Sequence, residues 1–103
     1  EIHRIDLYQV IYVESKNHNV EIFLKSGKNI KTRTTLADIK TLCHKIKGFI
    51  SVGASYIVNL RCVQSILQTE LILINGQRIP IPRRLRNDVK EQYFSFYIEE
   101  ATK

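Results

Sequence analysis

Residues 71–82, with the sequence LILINGQRIPIP, carry the clearest structural signal in the chain. Four apolar residues precede Asn75-Gly76, and in the run that follows isoleucine alternates with arginine and proline. This pattern predicts a β-hairpin closed by a type I′ turn, because Asn-Gly tolerates two successive positive φ angles. Pro80 and Pro82 have no N–H to donate, so the second arm is expected to be an edge strand.

Outward from this hairpin, short apolar runs separated by turn residues predict further strands, at 10–15, 19–25, 28–33, 49–52, 56–58 and 62–67. Two segments have apolar residues at helical spacing instead. One is 36–46, with Thr35 as N-cap and Gly48 at its C-terminal end, and the other is the tail from Arg84 to about Ala101. The predicted fold is mainly β, with small antiparallel sheets, one short helix at about 36–46 and a C-terminal helical tail.

The composition narrows the class of protein. A chain of 103 residues, 44% of them hydrophobic, fits one domain with a modest core. No apolar run approaches the roughly 20 residues of a membrane span, and no signal peptide is recognisable. Cys43 and Cys62 are too few for a disulfide scaffold, so reduced thiols in a cytoplasmic protein are expected. Because methionine is absent, residues 1–103 are interpreted as a single domain excised from a longer protein.

Charge points to a polyanionic partner. Sixteen Lys and Arg residues against ten Asp and Glu residues give a formal charge of +6 and a pI near 9.5. Binding of such a surface to a polyanion is favoured, because the phosphates release counterions when Lys and Arg neutralise them. A basic surface that only confers solubility has the same composition. Histidines and cysteines lack metal-ligand spacing, and neither a phosphate-binding glycine loop nor a nucleophile motif is present. No enzymatic activity, metal or cofactor is therefore expected.

Several stretches together resemble the LytTR-type DNA-binding domains of bacterial response regulators. The segment 49–59, FISVGASYIVN, with 63–66, VQSI, is similar to the core motif of that family. The first strand, 5–14, the helix at 35–42 and the Ile81-Pro-Arg-Arg84 segment follow in the family's order, so the resemblance covers about residues 5–92. It implies an elongated domain whose loops, rather than a recognition helix, enter successive major grooves of DNA.

The resemblance also implies which residues contact DNA. His18 and Asn19 in the first hairpin loop, and Arg83 after the last hairpin, are expected to contact bases, since such side chains pair with purine edges. Lys16, Ser55, Arg84 and Arg86 are expected to contact phosphates. Gly53-Ala54 departs from the family, which usually carries larger polar residues there, and this predicts weaker or altered specificity. Asn59 is expected to form a turn.

Alternatives remain open at this point. The loop at residues 16–19 could be an ordinary polar turn, and the arginines could form a solvated cluster paired with Asp88 or Glu91. The aromatic tail also fits a protein-interaction or dimerisation module, or a binder of RNA or single strands. The partners expected under the DNA interpretation are double-stranded DNA with repeated half-sites, a second copy on DNA, and a receiver or sensor domain preceding this chain.

Overall fold

A computed structural model describes residues 4–101 and contains two antiparallel sheets. The first has the strand order β3-β2-β1-β5-β4 and the second the order β6-β7-β8. The strands are β1 (Val10–Lys16), β2 (Asn19–Leu24), β3 (Asn29–Thr32), β4 (Phe49–Val52), β5 (Tyr56–Asn59), β6 (Val63–Ile66), β7 (Glu70–Leu73) and β8 (Arg78–Pro80). The helices are α1 (Leu36–Cys43) and α2 (Arg86–Ala101), with 3-10 turns at Leu7–Gln9, Leu60–Cys62 and Arg83–Leu85. The mainly β architecture and the edge position of β8 are confirmed.

A β-bulge in the central strand β1 divides the core between the two faces of the first sheet. Val10 pairs with Leu24 and Tyr12 with Phe23, which leaves Ile11 as the extra residue. Residues 10–13 are all buried because both faces of the sheet are covered, and the bulge shifts the alternation of side chains between the two faces. As a result Val10 and Val13 face one core cluster, whereas Ile11 and Tyr12 face the other.

Each face of this sheet is covered by a different layer. On one side the core includes Ile39 and Cys43 of α1. On the other side it includes residues of the second sheet, such as Leu71, together with Val89 and Phe96 of α2. Burial of apolar surface on both faces stabilises β1 and β5 and holds the turns at their ends in place.

The first helix begins as predicted and ends earlier than predicted. Thr35 Oγ1 accepts a hydrogen bond from the backbone N–H of Asp38 at 3.1 Å, which confirms the N-cap. The helix ends at Cys43 rather than near residue 46, because the N–H groups of Lys45 and Ile46 bond to carbonyls three residues back. These tighter turns lead the chain back into β4.

The turn between β7 and β8 also differs from the prediction. Gly76 has a φ of +86° and donates its N–H to the Leu73 carbonyl at 2.9 Å, but Asn75 is not in the positive-φ region. The Asn75 side chain instead accepts a hydrogen bond from Gln77 N–H at 3.1 Å. The loop is therefore wider than a type I′ turn, with only the glycine in the left-handed region.

Asn59 caps a turn, as expected. Its side chain is fully buried, where Nδ2 donates to the Val10 carbonyl at 2.9 Å and Oδ1 accepts from Arg61 N–H at 3.0 Å. The Arg61 guanidinium lies between the rings of Tyr8 and Phe96, about 5 Å from each centroid. These contacts tie the N-terminal segment to α2.

Candidate nucleic-acid interface

Three turns meet at one end of the five-stranded sheet. The backbone N–H of Ser15 donates to the Ser55 carbonyl at 2.8 Å, which joins the β1–β2 hairpin to the β4–β5 turn. On the other side of that turn, a Cβ atom added to Gly53 would lie 3.3 Å from Cγ of Pro82, the residue before Arg83. We call the surface formed by residues 17–18, 53–55 and 82–83 the loop edge.

His18 lies at the tip of the β1–β2 hairpin in an uncommon backbone conformation. Lys16 pairs with Asn19, so the turn contains only Asn17 and His18, with φ angles of 49° and 66°. Two positive φ angles in a two-residue hairpin define a type I′ turn. Holding a residue with a Cβ in this region costs about 1–2 kcal/mol, yet the second position carries an exposed histidine rather than glycine. Such strain at an exposed tip is typical of functional residues.

The neighbouring cations include one that the sequence interpretation missed. Lys16 and Asn19 are exposed on either side of the turn. Arg33 and Thr34 line a cleft together with Asn17, His18 and Asn19. The pairing of Val20 with Thr32 brings Arg33 opposite Asn19. Counting outward from the predicted Ser26-Gly27 turn would have found this neighbour, because a hairpin register pairs residues equidistant from its turn.

The β4–β5 turn offers little side-chain chemistry. Gly53 has a φ of +70° and packs closely against Pro82, so a larger residue there would be strained and crowded. Ala54 and Ser55 are both exposed. The Ser55 hydroxyl and the backbone are therefore the polar groups that this turn presents, and only position 54 has room for a longer side chain.

The three arginines that were predicted together lie in different environments. Arg83 and Arg84 are exposed on the 3-10 turn that precedes α2. Arg84 lines a groove that also contains Lys40 and His44. Arg86 is half-buried, and its Nε atom is enclosed without a hydrogen-bond partner among residues 4–101. The structure thus brings Arg83 next to the β4–β5 turn, through Pro82, whereas Arg86, whose backbone N–H bonds to the Arg83 carbonyl, is half-buried.

Two carboxylates face each other on the adjacent strands behind the loop edge. Glu14 pairs directly with Glu21 across β1 and β2. Glu14 accepts a hydrogen bond from the Tyr56 hydroxyl at 3.3 Å, and Glu21 accepts one from Asn29 Nδ2 at 3.2 Å. Burial, reinforced by these carboxylates and Tyr56, raises the pKa of Tyr12 to about 12. The tyrosine therefore stays neutral, and Lys16, Lys31 and Arg33 line the clefts beside the acidic pair.

Other kinds of site find little support among the residues that the structure describes. Within residues 4–101, no three His, Cys, Asp or Glu side chains are grouped so as to hold a metal ion. Cys43 and Cys62 are buried in different core clusters, and burial raises the pKa of both thiols. Neither described helix has the length and apolar content that a membrane crossing needs.

Comparison with known proteins identifies relatives of this domain. The model of the LytTr DNA-binding domain family matches residues 1–94. A solved LytTr DNA-binding domain from Bacillus cereus, described as part of a methyl-accepting/DNA response regulator, superposes with a TM-score of 0.75 at 22% identity. The superposition covers 85% of this chain and 84% of the other. No curated protein sequence matches significantly.

Proposed function

The chain belongs to the LytTR family of DNA-binding domains, and on that premise we propose that its loop edge binds duplex DNA with sequence preference. Turns of the loop edge would enter successive major grooves, and the rigid sheet would fix their spacing. The domain would act as the output module of a longer bacterial regulator that carries a receiver or sensor domain. It would bind repeated half-sites in pairs.

One observation carries this proposal. The Ser15–Ser55 hydrogen bond and the Gly53–Pro82 contact connect the His18 turn to Arg83 through the turn between β4 and β5. Residues 65 positions apart in sequence, 18 and 83, thus belong to one continuous surface. Contact with two grooves requires such a shared surface, because DNA is stiff over a single helical turn.

The proposed roles follow from side-chain chemistry and exposure. His18, Asn19 and Arg83 are proposed to contact base edges, since their donors match purine acceptors in the major groove. Lys16, Ser55 and Arg84 are proposed phosphate contacts, and Arg33 joins them because it lines the His18 cleft. Arg86 remains a proposed phosphate contact as well, although it is half-buried and its Nε atom is enclosed.

The test begins with selection of bound sequences from random duplexes, followed by anisotropy titrations with the selected duplex and a scrambled one. Three or four phosphate contacts predict a slope of about −3 to −4 in log K against log salt concentration. A large preference for the selected duplex is expected as well. A domain with no salt dependence, or with a preference for single strands, would contradict the proposal.

Two variants separate base contacts from phosphate contacts. Arg83→Ala is expected to weaken specific binding by about 1–3 kcal/mol and to relax one base position. Lys16→Ala should weaken binding to all sequences alike, because a phosphate contact carries no sequence information. Lys28→Ala is the matched control, since Lys28 is an exposed lysine in the turn at the opposite end of β2. If the Arg83→Ala variant selects the same DNA motif as the unchanged chain, Arg83 does not contact a base.

A dimerisation surface on α2 is the second candidate function. Phe94 and Tyr97 are 60% and 41% exposed, and they flank Tyr93, whose ring contacts both. Exposed aromatic residues in a row are typical of protein-contact surfaces. Sedimentation of Phe94→Ser against the unchanged chain, with and without DNA, tests this role. Equal association states and equal cooperativity on DNA would exclude it.

A further inference from the structure

The outer edge of β4 presents unpaired backbone groups. The Gly48 carbonyl accepts a hydrogen bond from Leu60 N–H at 2.6 Å, and bonded residues alternate along an antiparallel pair. Since Ile50 pairs with Val58, the backbone groups of residue 50 point toward β5. Those of Phe49 and Ser51 point the other way, where β4 has no neighbouring strand. Within residues 4–101, no hydrogen bond engages the outward groups of Phe49 and Ser51.

This edge forms the floor of a groove with a volume of about 450 Å³. Lys40 and His44 line it from the side of α1, and Arg84 and Asp88 line it from the side of α2. Neighbouring strands lie about 4.8 Å apart, so a strand added to β4 would lie in this groove, between the walls that Lys40 and Arg84 line.

The walls of the groove carry more positive than negative charge. Lys40 and Arg84 are exposed, and among residues 4–101 neither forms an ion pair or a side-chain hydrogen bond. Asp88 is the acidic lining residue, and it already accepts a hydrogen bond from Gln92 at 2.8 Å. An incoming chain with acidic side chains would meet cations on both walls.

We propose that this groove binds an extended, acidic peptide segment of a partner protein, which adds to β4 as a further strand. A polypeptide backbone supplies donors and acceptors at the spacing of Phe49 and Ser51, and the outward groups of these two residues include both kinds. Phosphate groups of DNA would satisfy the cations, but they offer only acceptors and would leave the outward carbonyls of β4 unpaired. The groove thus provides a protein-binding function beside the loop edge, with which it shares Gly53.

The test uses an eight-residue peptide in which pairs of valines alternate with pairs of glutamates, so that glutamates face both walls of the groove, titrated into the isotopically labelled domain. Saturable amide shifts are expected at residues 49–51 and 84–88 and not at residues 17–18. Two N-methylated peptides are compared, one methylated at its odd-numbered residues and one at its even-numbered residues. One of them should not bind and the other should bind as before, because only one set of N–H groups faces β4. Replacement of glutamate by glutamine should weaken binding.

Matched variants of the domain complete the test. Lys40→Glu is expected to weaken peptide binding at least threefold, whereas Lys45→Glu, which makes the same charge change in a different groove, should not. Neither variant alters the loop edge, so DNA binding reports whether each is folded. The proposal is overturned if the peptide causes no saturable shifts, if the shifts centre on the His18 turn, or if Lys40→Glu and Lys45→Glu behave alike.

Discussion

Replacement of His18 by glycine is expected to stabilise the fold while it weakens base recognition. His18 occupies the second central position of a type I′ turn at a φ of 66°, where glycine is the favoured residue. Its side chain is exposed at the hairpin tip, so its removal leaves no cavity. A substitution that improves the backbone should therefore act in opposite directions on stability and on function.

Two opposing contributions determine how much His18→Gly changes the free energy of unfolding. Relief of the left-handed strain contributes about 1–2 kcal/mol. The greater freedom of glycine in the unfolded chain costs about 0.4–1 kcal/mol. The net expectation is a gain of about 0.5–1 kcal/mol in the free energy of unfolding, or roughly 2–8 °C in Tm for a domain of this size. Loss of a base contact should weaken specific DNA binding by about 1–3 kcal/mol.

Guanidinium unfolding followed by circular dichroism measures the first effect, and anisotropy with the selected duplex measures the second. His18→Ala is the matched control, because alanine removes the imidazole but keeps a Cβ at positive φ. Both variants should bind the selected duplex more weakly, and only the glycine variant should gain stability.

Two results would refute the reasoning. A glycine variant that is less stable than the unchanged chain would mean that the turn is not strained at residue 18. A glycine variant that selects the same DNA motif with equal affinity would mean that His18 contacts no base.

Three further predictions address other parts of the molecule. Ala54→Lys should steepen the salt dependence of DNA binding by about one counterion, and an unchanged slope would place that turn away from the phosphates. Because the pKa of Tyr12 is raised to about 12, the folded protein keeps a phenolic proton that the unfolded chain releases above pH 10. The free energy of unfolding is therefore highest below pH 10, and it should fall by about 2–3 kcal/mol as the pH rises to 12. Tyr12→Phe should reduce that fall in alkaline unfolding curves, and an equal fall would assign it to other groups. Asn59→Ala should lower the free energy of unfolding, measured with denaturant, by about 2–4 kcal/mol. The substitution leaves the buried Val10 carbonyl without its 2.9 Å donor and removes the cap of the 60–62 turn. A loss below about 1 kcal/mol would contradict this reasoning.

The local elements were predictable where local chemistry decides them. Alternating apolar residues and turn signals predicted all eight strands to within one or two residues at most of their ends, and Thr35 predicted the start of α1. Two local predictions were wrong, one for the path that the chain takes and one for a local side-chain hydrogen bond. The first helix ends early because the chain must turn back into β4. Asn75-Gly76 forms a wider loop because the asparagine side chain bonds to Gln77.

The candidate site was predicted in part. The resemblance to LytTR domains singled out His18 and Arg83, and these remain predictions until DNA binding is measured. Arg33 was missed because its proximity to His18 depends on the β2–β3 register. The different surroundings of Arg84 and Arg86 could not be read from a run of basic residues, since side-chain directions depend on the helical phase of residues 83–86.

By itself, the sequence determined the succession of short strands, the two helices, the basic character and the family, because these depend on residue type and short-range spacing. Only the tertiary structure decided that the His18 turn, the Gly53 turn and Arg83 share one surface, and that the edge of β4 lies open between two helices. The physical reason is that strand order and register are determined by pairing across the sheet and by burial on both its faces, which are long-range interactions.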